Sequence, residues 1–216
     1  MCYHSEFMEN VNLWTSADHA LEYLARADKI PHRTEGEAVL LDFLPTRPAR
    51  VLDLGSGAGR LLGLVKLARP EVRAVALDFS ELMLEKLRDR FGAEPSVEIV
   101  THDLNKPLPD LGRFDAIVSS FAIHHVPHER KRALYAEVYA ALNPGGVFLN
   151  LEHVSSPSEA LHQRFIDALE VRRGEEDPSN KLLDLESQLG WFREIGYQNV
   201  DCVWKWLELA LLTGAK

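Results

Sequence analysis

From Arg50 to Glu152 the chain alternates short apolar runs with amphipathic stretches, a pattern that leaves few folds open. Residues 50–54, 72–77, 97–101, 115–119 and 147–151 read as strands, and 58–68, 80–90 and 129–142 as helices between them. Strands joined through helices run parallel, with the crossovers covering both faces of the sheet. The segment LNPGG at 142–146 agrees: a helix end, a proline and two glycines lead into the apolar run VFLN. Two more helices are expected at 158–170 and 183–195, around the polar loop RRGEEDPSN. The last stretch, QNVDCVWKWLELALLTGAK, is rich in β-formers with no helix between its halves. It predicts a hairpin with one strand opposed to the rest, and strict alternation would put Trp204 and Trp206 on one face with Val203, Lys205 and Leu207 opposite. The expected fold is a three-layer α/β sandwich with a seven-stranded mixed sheet and a C-terminal antiparallel hairpin.

Ahead of this core, 16–29 and 34–44 have helical periodicity, with Ser16 and Thr34 as expected N-caps and Glu37 completing a capping box with Thr34. The organisation expected is one domain: a helical cap over 1–48, a core over 49–152, and substrate-side helices with the hairpin over 153–216. The formal net charge of −9 argues against a nucleic-acid partner, which calls for clustered Lys and Arg. No run approaches the roughly 18 apolar residues that span a bilayer. The N-terminus lacks the basic-then-apolar order of a signal peptide. Cys2 and Cys202 are the only cysteines and read as reduced thiols. A soluble cytoplasmic monomer or homodimer is the expectation.

The first strand ends in VLDLGSGAGR, Val51 to Arg60. A glycine turn between strand and helix offers backbone N–H groups and a positive helix end to a ligand. A nucleoside-triphosphate loop needs Lys-Ser/Thr after its last glycine, but Arg60 and Leu61 stand there. The dinucleotide fingerprint wants a small residue where Arg60 lies, which weakens that reading. A third reading includes Asp53, two residues before Gly55: an acid at the strand tip suits a ligand carrying an ammonium or a sulfonium. Alone, the turn leaves the last two open. Asp78 ends the second strand, where a carboxylate can accept both hydroxyls of a ribose, and Phe79 and Met83 follow to pack on a base or join the core. Asp103 and Leu104, just past the third strand, can address an adenine edge, a feature without a regular counterpart in dinucleotide folds.

Asp53-Gly55-Gly57-Gly59, Asp78, Asp103-Leu104, FDAIVSSFAIHH and LNPGG, in that order and spacing, resemble the class I, Rossmann-like S-adenosylmethionine-dependent methyltransferases, over about residues 49–152. SSFAIHHV and LNPGGVFLNLE are similar to small bacterial members related to quinone-ring enzymes and to those labelled tRNA wobble-uridine enzymes. The resemblance implies S-adenosyl-L-methionine as cofactor and S-adenosyl-L-homocysteine as product. It implies Gly55, Ser56 and Gly57 beside the methionine part and Asp53 near its ammonium. Asp78 would take the ribose, Phe79 would border the adenine, and Asp103 with Leu104 would meet its edge. Ser119 or Ser120 would close the methionine pocket.

Methyl transfer from a sulfonium is an in-line displacement with a good leaving group, so the protein has chiefly to align the acceptor and exclude water. His124 and His125, just past the fourth strand, are candidates for a base where the acceptor must lose a proton. HHVPH is weak evidence for a metal, because Pro127 interrupts the helix that would bring His124 and His128 together; no metal is expected. Candidate acceptor-pocket residues are Tyr3, Trp14, Arg33, Glu152 and Arg172, from segments flanking the core. The leading expectation is methyl transfer to a small-molecule acceptor. The alternatives are a tRNA wobble-uridine or modified-cofactor enzyme, a non-catalytic S-adenosylmethionine-binding protein, and an NAD-dependent oxidoreductase, the last disfavoured by Arg60 and Asp103.

Overall fold

The computed structural model describes Asp18, residues 30–172 and residues 174–216. The helix expected at 16–29 and its cap Ser16 lie outside the described residues, Asp18 apart. In chain order come α1 (Arg33–Phe43), β1 (Arg50–Leu54), α2 (Arg60–Ala68), β2 (Arg73–Asp78), α3 (Glu81–Phe91), β3 (Val97–Thr101) and β4 (Phe114–Ser120). A 3-10 turn (Ile123–His125) follows, then α4 (His128–Ala141), β5 (Leu142–His153), α5 (Glu159–Ala168), α6 (Leu185–Ile195), β6 (Gln198–Trp206) and β7 (Leu209–Ala215).

Among the described residues these strands form a seven-stranded sheet in the order β3-β2-β1-β4-β5-β7-β6. All neighbours pair parallel except those of β7, which is antiparallel to both β5 and β6. The register brings Val51 beside Ala74 and Ala116, and Leu52 beside Val75 and Ile117. Because side chains alternate, the first set faces one helical layer and the second the other. Val51, Ala116, Val118 and Leu151 pack with Leu40 of α1, Val65 of α2 and Phe165 of α5, while Ala74 and Ala76 meet Leu87 of α3. Leu52, Val75, Ile117 and Phe148 pack with Tyr135 of α4 and Phe192 of α6. Each fully buried aliphatic side chain contributes about 1.5–3 kcal/mol, so a one-residue slip, which exchanges the faces, is strongly disfavoured.

Three local expectations are corrected. Thr34 is not the N-cap of α1: the helix begins at Arg33 after His32, whose backbone is left-handed (φ 59°) and makes no side-chain cap. The ring Nδ1 of His32 lies 2.9 Å from Glu35 instead, and Glu37 turns inward. The fifth strand does not begin at 147: Leu142 already pairs with Phe114, residues 143–146 bulge out, and pairing resumes at Val147 with Ala116. The alternation expected in β6 fails at an irregularity between Cys202 and Trp204, so that Val203 joins Trp204, Trp206 and Leu207 on the α1 side. There α1 comes in closely, since a Cβ on Gly36 would lie 2.8 Å from the Trp204 ring.

Candidate functional site

The sheet order reverses between β1 and β4, so the chain leaving these two strands turns in opposite directions and opens a crevice at their C-terminal ends. A cavity of about 310 Å³ lies there. It is bordered by the turn after β1, the ends of β2 and β3, the segment after β4 and Arg33 of α1.

The turn after β1 is built by its glycines: Gly55, Gly57 and Gly59 all have positive φ. At Gly55 a second constraint applies, because a Cβ would lie 2.3 Å from that of Ala122 beyond β4. The Ser56 N–H donates to the Leu77 carbonyl at 2.8 Å, and the Gly57 N–H to Asp78 Oδ2 at 2.8 Å. The other Asp78 oxygen accepts from the N–H groups of Phe79 and Ser80. Burial raises the Asp78 carboxyl above its usual range, and these three amides oppose the shift.

Asp53 is different. It is fully buried, borders the cavity, and among the described residues neither carboxylate oxygen has a hydrogen-bond partner. Ser56, whose hydroxyl is close by, donates to the Asp53 backbone carbonyl. Desolvation is the main reason that the Asp53 carboxyl is pushed up to about 7, with the charge of Asp78 adding to it. An orphaned carboxylate in a cavity calls for a cationic ligand.

Phe79, Asp103 and Leu104 all border the cavity, as do Gly55, Ser56 and Gly57. Met83, read as either base-packing or core, is both buried and in the cavity wall. Asp103 Oδ1 accepts from the backbone and side-chain N–H groups of Asn105. Of the two serines, only Ser120 borders the cavity, with a buried hydroxyl that has no partner among the described residues. Ser119, one residue earlier and so on the other face, donates to the Leu54 carbonyl at 2.9 Å and ties β4 to β1.

The two histidines also part. His125 borders the cavity, whereas His124 is buried behind it with its Nδ1 2.8 Å from Glu152 Oε1. Their rings lie 4.0 Å apart, tilted by 47°. Burial is the first reason both have pKa values well below the usual imidazole range. Glu152 therefore is not in the cavity wall: it also accepts from the backbone N–H groups of His124 and His153 and shapes the turn. Arg172 is exposed on the loop after α5 and does not border the cavity. Tyr3 and Trp14 lie outside the described residues. Arg33 does border the cavity; it is buried, 2.9 Å from Glu37 and over the Phe121 ring.

Sequence reading missed Arg60 and Glu37 as site residues. Glu37 is buried and accepts from Arg33 and, through both oxygens at 2.8 Å, from Arg60, which also borders the cavity. Arg60 registers in sequence only as a residue too large for a dinucleotide turn. No spacing rule links it to an acid 23 residues earlier.

Residues 51–146 match the family described as "Methyltransferase domain". The chain is 38% identical over 136 residues to the ubiquinone/menaquinone biosynthesis C-methyltransferase UbiE of Methylobacterium nodulans, an alignment covering 58% of this chain and 52% of that protein. It is 23% identical over 210 residues to the carboxy-S-adenosyl-L-methionine synthase of Helicobacter hepaticus, covering 87% of each. An O-methyltransferase family protein from Burkholderia thailandensis shares the fold, with a TM-score of 0.74 and 17% identity over 94% of this chain and 61% of that one. The chain thus spans about half the length of the first of these relatives. Residues 51–146 thus match a methyltransferase domain, and the acids and glycines of that stretch stand at the sheet's switch point.

Proposed function

We propose that this protein transfers a methyl group from S-adenosylmethionine to a small-molecule acceptor. The observation that carries the reading is the buried carboxylate of Asp53 in the cavity wall, which has no partner among the described residues. An ammonium group satisfies it, and a dinucleotide diphosphate does not. The residues present fit the cofactor: Asp53 for the ammonium, Asp78 for the ribose hydroxyls, Phe79 and Met83 for the adenine faces. Asp103 and Leu104 serve the adenine edge; Gly55, Ser56, Gly57 and Ser120 serve the methionine part. When bound, the cofactor supplies an electrophilic methyl on a good leaving group. The chain's own work is then to exclude water, align the acceptor and take up its proton, for which His125 is the cavity-wall candidate.

Three things favour a small acceptor over RNA. The net charge is −9. The cavity-wall arginines are engaged within the fold, Arg33 and Arg60 with Glu37 and Arg90 with the Gly59 carbonyl. The relatives reported above are named for C- or O-methylation or for carboxy-S-adenosyl-L-methionine synthesis. A second reading, modification of the cofactor itself, is favoured by the alignment to the carboxy-S-adenosyl-L-methionine synthase over 87% of both chains.

Calorimetry with S-adenosylmethionine, S-adenosylhomocysteine and NAD tests the reading. Binding of the two sulfur nucleosides without NAD is expected; tight NAD binding with no response to either would overturn it. Mass spectrometry of the nucleoside copurified with the protein separates the two readings, since a carboxylated cofactor has a different mass.

A further inference from the structure

The loop between α5 and α6 reaches back to the cavity at one point. Ser179 is buried, and its Oγ lies 2.9 Å from Nδ1 of His125 and 2.7 Å from Oδ1 of Asp177. Its backbone N–H donates to the same Asp177 oxygen at 2.8 Å. Two residues on, the Lys181 N–H donates to the His124 carbonyl at 2.7 Å, and Nζ of the buried Lys131 in α4 donates to the Lys181 carbonyl at 3.0 Å. The segment is therefore pinned against the histidine turn from several sides.

A serine hydroxyl has one proton, and an ionised carboxylate can only accept. The Ser179 proton accordingly goes to Asp177, which leaves the Ser179 oxygen as acceptor toward His125. We infer that Ser179 and Asp177 are positioning residues that hold His125 as its Nδ1–H tautomer, with Nε2 the acceptor nitrogen offered to the methyl acceptor. This rests on the methyltransferase reading of the same cavity. Burial keeps the ring neutral, so one nitrogen carries the proton and the other does not. Among the described residues, the charged and titratable groups acting on the ring are His124 on the same turn, Glu152 of β5 and Asp177 of the loop.

The step balances simply. A bond forms from the acceptor atom to the methyl carbon, and the electrons of the carbon–sulfur bond remain on sulfur. The acceptor's proton passes to Nε2 of His125. The positive charge thereby moves onto the imidazole, whose Nδ1–H already points through Ser179 toward Asp177, an arrangement that stabilises the imidazolium.

Long-range proton–nitrogen NMR of the protein saturated with S-adenosylhomocysteine reads the tautomer directly, with His125→Gln assigning the signals. The expected spectrum has a pyrrole-like Nδ1 and a pyridine-like Nε2. Ser179→Ala is expected to move His125 toward the Nε2–H form, Ser179→Thr to restore it, and both to keep S-adenosylhomocysteine affinity within about twofold, since Ser179 does not border the cavity. An Nε2–H tautomer in the wild-type spectrum overturns the inference whatever the variants do, and so does an unchanged tautomer in a folded Ser179→Ala protein. The base reading fails separately, if His125→Gln keeps the wild-type turnover with a phenol or amine acceptor. Failure to bind S-adenosylhomocysteine at all would instead sink the methyltransferase reading.

Discussion

At the tips of β1 and β2, the groups bordering the cavity are held largely by backbone. Asp78 takes three amide donors, and the glycine turn is set by positive φ and by the Ser56 amide. At the tips of β4, β5 and β7 the groups in and behind the cavity wall are held by side chains distant in sequence. His124 meets Glu152 across 28 residues, His125 meets Ser179 across 54, and His153 meets Glu208 across 55. Backbone donors are indifferent to the residue that bears them, so the first side needs only glycines and acids at fixed places. The second needs matched pairs, each free to be replaced by another pair. A cofactor common to many proteins suits the first construction, and an acceptor particular to one suits the second.

The sharpest way to break the first side is Gly55→Ala. The new Cβ would sit 2.3 Å from Ala122 Cβ on a backbone with φ 67°. Left-handed backbone alone costs about 1–2 kcal/mol for a non-glycine residue, and the clash is with a fixed neighbour. A total of about 3 kcal/mol of stability is expected from denaturant melts, together with loss of S-adenosylhomocysteine binding by about 100-fold or more. Normal affinity would mean that the turn after β1 is not held by backbone geometry.

Glu37→Gln tests the exception on that side, the side-chain network joining α1 to α2. It leaves the buried Arg33 guanidinium facing a neutral amide. Breaking a buried pair costs about 3–5 kcal/mol, but Arg60 is one-third exposed and can turn to solvent, so about 2 kcal/mol is expected. Chemical denaturation reads it as a lower midpoint at unchanged slope.

The same contrast explains what sequence could and could not reveal. The strand–helix alternation pointed to a seven-stranded sheet, parallel but for one late strand, because burial on both faces leaves a recognisable period; the order of the strands comes from the fold. Asp53, Asp78 and Asp103 were legible because each stands at or just past the C-terminal end of a strand, where the fold itself presents a group. The choice between Ser119 and Ser120 was not, since it turns on a pleat that shifts with one residue. Glu152 read as a pocket residue because its position along β5 is right; its role as a buried acceptor for His124 depends on a partner from the other end of a crossover. Thr34 failed as a cap because Glu37, the other half of the expected box, is drawn inward by two arginines.

Asp53 gives a pH signature for the first side. Its folded carboxyl is raised from 3.8 to about 7. Its contribution to stability without ligand is thus present in full below 3.8 and lost as the pH climbs toward 7. A bound ammonium favours the ionised form, so S-adenosylhomocysteine affinity should rise by about tenfold between pH 5.5 and 7.5 and then level off. Asp53→Asn should lower affinity at pH 7.5 by about tenfold and flatten the slope. A slope of the same size in the variant would assign the titration to another group.

The smallest effect belongs to the second side. Glu208, buried in the turn of the hairpin between β6 and β7, accepts from His153, from Ser156 and from His162, whose Nδ1 lies 2.8 Å away. The hydrogen bond to Glu208 is the chief reason that the His162 pKa lies above 6.5. The stability it lends is fully present below 6.5 and lost as pH rises through the higher folded value. Glu208 itself is held below the usual carboxylate range, by His153, Ser156 and His162 against the cost of burial, so its share vanishes only as pH falls below 4.5. The charged pair therefore acts between these limits. His162 is partly exposed, which keeps its worth below about 1 kcal/mol. His162→Gln should lower stability by about 0.5 kcal/mol at pH 5.5 and scarcely at pH 8.5, with the gap narrowing in 1 M salt. The Asp53 signature, generated in a cavity wall shielded from counterions, should keep its size in the same salt. If both respond alike, the two ends of the sheet do not differ electrostatically in the way their hydrogen bonds indicate.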